Sequence, residues 1–151
     1  MRSYKHPVSV LVVIHTADLE VLLLERAAHP GYWQSVTGSQ ETGEQLRATA
    51  AREVAEETGI RVSATALCDW QLSHCYEIFA EWRHRYAPGV RYNTEHVFSL
   101  QLPAARPVSL APGEHRNYCW LPWRAAAAKC FSASNRDVIL GLPARLGLPG
   151  Q

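Results

Sequence analysis

Residues 38–60, GSQETGEQLRATAAREVAEETGI, constrain this chain more than any other stretch. Positions 46–58 contain neither proline nor glycine and are rich in Ala and Glu, so they read as a helix. Thr42 or Gly43 is placed to begin it, and Gly59 stands where a left-handed cap ends a helix. Leu46, Thr49, Ala50 and Val54 supply an apolar stripe that docks it. Glu53 and Glu57 are four apart, and Glu53 and Glu56 three apart, so the three carboxylates neighbour one another on the helix surface. Carboxylates packed this way repel unless a positive charge sits among them, and their oxygens are the hard ligands that Mg²⁺ prefers. An acidic run alone is more often a solvated helix face. Here Gly38, Glu44, Arg52 and Gly59 fall in register around it, as G-x5-E-x7-R-E-U-x-E-E-x-G-U with U aliphatic. A chance match at one start point has odds on the order of 10⁻⁹ at average residue frequencies.

This pattern is the Nudix box, and the chain resembles the Nudix hydrolase family with no departure from the box. The resemblance implies a Mg²⁺-dependent hydrolase, with Mn²⁺ as a substitute metal, that cuts a diphosphate bond in a nucleoside diphosphate linked to another group. It implies an α/β fold, an α/β/α sandwich with a mixed β-sheet whose box forms a loop–helix–loop. One domain over residues 1–151, with the box at 38–60, is expected from the length of 151.

The rest of the chain fits one mixed domain. Hydrophobic residues make up 47% and the net charge is +1, which leaves no global field to recruit nucleic acid or an anionic membrane. Cys68, Cys75, Cys119 and Cys130 form no CxxC pair and no zinc-like spacing, and read as buried free thiols of a reducing cytoplasm. The apolar run 8–14 is too short to span a bilayer. Strands are expected at 8–15, 21–25, 33–36, 69–85, 94–102 and 116–121, with 61–67 extended. Helices are expected at 122–129 and 135–146, the second disturbed by Pro143.

Outside the box, WQSVTGS at 33–39, YKHPVSVLVVI at 4–14, YEIFAEWRHRYAPGVRYNTEH at 76–96 and SASNRDVI at 132–139 resemble the family members that act on dihydroneopterin triphosphate in folate synthesis. Carried over position by position, Glu53, Glu57 and Glu114 match metal ligands. Glu56 is a further candidate on helical geometry. Lys5, Arg26, Thr37, Tyr76, Glu77, Ile78, Phe79 and Ser132 match substrate-contacting positions. Tyr76 and Phe79 would face opposite sides of a strand, so at most one stacks on a flat ring. Arg52 is expected to orient Glu44 rather than to touch substrate. The basic cluster Arg83, His84, Arg85 and Arg91 is either a triphosphate clamp or the solvated rim of a hairpin.

The resemblance therefore implies metal-assisted attack of water on a triphosphate ester, with a nearby carboxylate as general base. Pyrophosphate leaves and a monophosphate remains. The expected partner is a small-molecule pterin or nucleoside triphosphate. A general nucleoside triphosphate pyrophosphatase keeps the same chemistry. A non-catalytic binding module, the third reading, usually lacks a box glutamate, and none is missing here.

Overall fold

Strand β1 (Val8–Thr16) is buried from Ser9 onward, and its alternation feeds two cores. Val10, Val12 and Ile14 point to one side, where they meet Ala50 and Val54. Leu11 and Val13 point to the other, toward Ala126, Ala127, Val138 and Ile139. A strand apolar on both faces must be sandwiched, so helices cover the sheet above and below. The computed structural model describes residues 3–148 and has this architecture.

The remaining elements are β2 (Glu20–Arg26), β3 (Trp33–Gln34), β4 (Val36–Ser39), α1 (Leu46–Thr58), β5 (Cys68–Glu77), β6 (Tyr92–Leu102), β7 (His115–Pro122), α2 (Trp123–Lys129), α3 (Ala133–Leu140) and α4 (Leu142–Arg145). The sheet runs β3-β2-β1-β6-β5, with β4 also on β1 and β7 on β2. β1 and β6 are parallel, and the other pairs are antiparallel. α1 covers one face, and α2, α3 and α4 contribute to the core on the other.

The box helix spans Leu46–Thr58 as expected, with Gly59 in the left-handed region at φ 75. Its start differs. Gln45 is the capping residue, and Thr42 and Gly43 lie in the preceding turn, which closes through the Glu44 N–H to Glu41 O. Thr49, Ala50 and Val54 are fully buried and Leu46 packs partly, so the predicted stripe is the docking face.

Five local expectations are corrected. Residues 33–36 are not one strand: Gln34 pairs with Leu24 of β2, Val36 with Val12 of β1, and the chain changes partner at Ser35, whose N–H Asn135 accepts. Residues 61–67 are not extended throughout, because Ser63 Oγ accepts the Thr65 N–H and starts a 3-10 turn at Ala64–Ala66. The strand at 69–85 stops at Glu77. Arg83 folds back to donate to Ile78 O and Glu77 Oε2, which makes Ala80–Arg85 a 3-10 helix. The last helix divides at Gly141 into α3, capped by Ser132, and α4, whose first turn holds Pro143. The four cysteines are free, but Cys68 and Cys75 are exposed on the edge strand β5 rather than buried.

Candidate active site

The loop 39–45, α1, the start of β1, β4 and the Gly113–His115 turn enclose a cleft of about 1020 Å³. Five carboxylates line it: Glu41, Glu53, Glu56, Glu57 and Glu114. Lys5, Arg26 and Arg85 line it as well. The cleft thus joins an anionic group of side chains to a cationic one.

Helical spacing explains the anionic group. Glu57 is 2% exposed although it is charged at neutral pH in water, and its Oε1 has no hydrogen-bond partner. Burial, and then the neighbouring Glu53, push its carboxyl well above the usual carboxylate range. Glu53 is also raised, first by burial.

Arg52 keeps the rest of the box in register. Its Nε donates to Glu44 Oε2 at 2.7 Å and its Nη2 to Glu44 Oε1 at 3.0 Å. Nη2 also donates to Ser39 O at 2.9 Å, and Nη1 to Glu53 Oε1 at 2.8 Å and Glu56 Oε2 at 3.2 Å. The guanidinium, backed by a bond from Thr49 Oγ1, draws the Glu44 carboxyl down to about 2. Arg52 thus orients carboxylates, as the sequence suggests, and joins the helix to the loop before it.

The cationic group is repulsive within itself. Dehydration in the cleft, and then Arg85, hold Lys5 below the ordinary lysine value. Burial and then Arg85 lower Arg26 in the same way. Three cations that disfavour one another await an anion. Arg26 lies over the Trp82 ring at 4.8 Å, which fixes its direction.

The cluster around the Pro88-Gly89 turn is resolved into parts. Arg83 and Arg91 pair with Glu77 at 2.9 and 3.5 Å, so they are the rim. Arg85 alone of the four reaches the cleft wall. Of the expected substrate residues, Lys5, Arg26, Thr37 and Tyr76 line the cleft. Glu77, Ile78, Phe79 and Ser132 lie outside it. Glu77 is taken by arginines and Ile78 is 3% exposed in the interior. Phe79 sits past the end of the strand with its ring against Trp82 at 5.0 Å, so the opposite-faces expectation for Tyr76 and Phe79 does not apply. Ser132 accepts the Asn135 N–H at the head of α3.

Several cleft residues carry no local sequence pattern. Asn93 and Ser9 come from the neighbouring strands β6 and β1, and Asn93 Nδ2 donates to Ser9 Oγ at 2.7 Å and to Tyr76 Oη at 3.0 Å. His115 follows Glu114 and is buried, with Nε2 3.8 Å from Glu57 Oε1. Burial, and then Arg26, lower its imidazole to about 4, so it is neutral at pH 7. The Pro112-Gly113 turn before it was the one available signal.

Among the described residues, no three His, Cys, Asp or Glu side chains stand together as a formed metal cage. Glu53 accepts from Arg52 Nη1 and neighbours Glu57. The donor set suits a hard cation: carboxylates raised first by burial, one of them with an unsatisfied oxygen.

A family model described as NUDIX domain matches residues 5–142. The dihydroneopterin triphosphate diphosphatase of Escherichia coli (strain K12) is 50% identical over 141 residues, 91% of this chain and 93% of that protein. The Haemophilus influenzae protein of the same name is 39% identical over 142 residues, 92% and 89% of the two chains. The solved structure of the E. coli dihydroneopterin triphosphate pyrophosphohydrolase superposes with a TM-score of 0.85, covering 91% of this chain and 95% of that one.

Proposed function

The chain belongs to the NUDIX family, and from that premise we propose that it hydrolyses dihydroneopterin triphosphate to dihydroneopterin monophosphate and pyrophosphate, with Mg²⁺ as its metal. The observation that carries this reading is the 50% identity over 91% of the chain, which reaches well beyond the box to the cleft's other walls. The unbroken box supports a catalyst rather than a binding module.

Glu53, Glu57 and Glu114 would hold the divalent cation. Bound there, it supplies charge neutralisation on the phosphoryl oxygens and acidifies a water. Lys5, Arg26 and Arg85 would bind the triphosphate oxygens, and their mutual repulsion would be relieved as they do so. Arg52 holds Glu53 and Glu56 at fixed positions, so the carboxylates are arranged before substrate arrives. Glu56 is the exposed member of the set and, held by Arg52, is the carboxylate that would take a proton from the attacking water. His115, neutral, fills the space behind Glu57 without adding a charge that would compete with the cation. Four free thiols, two of them exposed, suit a reducing cytoplasm.

The test is a panel of triphosphates with Mg²⁺, reading pyrophosphate release. Dihydroneopterin triphosphate should exceed each common dNTP in kcat/KM. A dNTP turned over faster would make the protein a nucleotide pyrophosphatase instead.

A further inference from the structure

The phosphate and metal chemistry of the cleft is common to every triphosphate, so any preference for a pterin must come from groups that meet the ring. β1, β6 and β5 lie side by side, with Ser9 opposite Glu95, Asn93 opposite Tyr76, and Glu95 opposite His74. Asn93 and Glu95 are two apart on β6 and so share a face with these partners. This is the face that carries Leu11 and Val97 into the second core, away from α1.

The polar group here is buried and incomplete. Asn93 is 1% exposed and lines the cleft. Its Nδ2 is used twice, on Ser9 and Tyr76, while its Oδ1 is buried with no partner among the described residues. Glu95 is 6% exposed, and its Oε1 is likewise buried with no partner. The Glu95 charge is felt by Tyr76, whose hydroxyl is bonded to Asn93, so the two acceptors belong to one cluster. Buried acceptors are normally satisfied; Asn93 lines the cleft and Glu95 lies two residues further along the same face of β6, so the pair calls for donors from outside the chain.

The pterin ring has such a pair. Its 2-amino group and the adjacent ring N–H are neighbouring donors on one edge. Guanine carries the same pair, and adenine does not. We infer that Asn93 and Glu95 form the subsite that binds this amino–imino edge of the substrate ring. The inference rests on the proposed function for the phosphate end and adds the residues that select the ring. Tyr76 and Ser9 hold the Asn93 amide so that its oxygen is the atom left to accept. A site built to meet donors disfavours a ring without them, because its own acceptors then stay buried and unpaired.

The experiment compares wild type, Glu95→Gln and Asn93→Leu with Mg²⁺. It reads kcat/KM on dihydroneopterin triphosphate and on dGTP, and the inhibition constant of inorganic triphosphate, which has no ring. Each variant should lose at least about 10-fold on both ring substrates, mainly through KM, with the inorganic triphosphate constant within about 3-fold of wild type. Equal losses in all three measurements would make the cluster merely structural and overturn the inference. So would ring substrates turned over as in wild type. Glu95→Gln is isosteric and guards against misfolding of the leucine variant. A wild type that spared dihydroneopterin triphosphate yet cleaved dGTP in a Glu95-dependent way would overturn the proposed function and keep the subsite.

Discussion

Gly38 lies directly against the Glu53 carboxylate. A methyl group on its α-carbon would overlap the Glu53 side chain from Cγ to Oε2. The close approach of β4 to α1 therefore depends on a residue with no side chain, and that approach brings Glu53 beside the cleft. Gly38→Ala should keep the fold, because its backbone needs no left-handed φ, but displace Glu53. The expected loss in kcat/KM is about 10²-fold, the cost of misplacing a reacting group by an ångström. Pyrophosphate release with a parallel thermal melt checks it; wild-type activity would mean Glu53 has room to move without consequence.

Glu57→Gln removes a charge while preserving shape. Turnover should fall by roughly 10²-fold or more, the scale of losing one electrostatic stabiliser. The metal-free variant should melt no lower than wild type, since an amide carries neither the burial penalty nor the repulsion by Glu53 that raise the Glu57 carboxyl. Activity within a few-fold of wild type would remove Glu57 from the metal site.

Chelation should abolish pyrophosphate release, and Mg²⁺ or Mn²⁺ should restore it. The neighbouring carboxyls of Glu53 and Glu57, both raised first by burial, motivate this. A divalent cation should also raise the melting temperature, because it binds the folded carboxylates and not the unfolded chain. Turnover undiminished in excess chelator would refute the metal role.

Glu95 sets a pH dependence away from the metal site. Burial pushes its carboxyl from an ordinary 4.5 up to about 7. A raised acid pKa means that the folded protein holds the proton more tightly than the unfolded chain does. Its contribution to stability is full below pH 4.5, declines from there as the unfolded chain ionises, and is lost above about pH 7. Glu95→Gln does not titrate. The melting temperature of the variant relative to wild type should therefore rise between pH 4.5 and 7 and be level on either side. A difference independent of pH would show that Glu95 is not buried as an acid.

The box helix was legible because its signals are local. The spacing of Glu53, Glu56 and Glu57, the stripe of Thr49, Ala50 and Val54, and the stop at Gly59 each act within one or two turns of chain. Glu114 and Lys5 were found only by likeness to relatives, since nothing in a lone loop glutamate or an early lysine marks it. The misread segments share a cause. Residues 61–67 and 78–85 have strand-like composition, but the Ser63 hydroxyl and the Arg83 guanidinium capture backbone groups and turn the chain.

By itself, then, the sequence determined the chemistry: the carboxylate-bearing helix, its cap and the arginine that serves it. The tertiary structure decided which residues meet it. Pairing of β1 with β6, and of β6 with β5, brings Ser9, Asn93 and Tyr76 together across 84 and 17 positions of chain. The fold also spends Arg83 and Arg91 on Glu77 while leaving Arg85 for the cleft. Such contacts depend on register between distant strands, and register is set by which faces the whole core buries, not by any short run of residues.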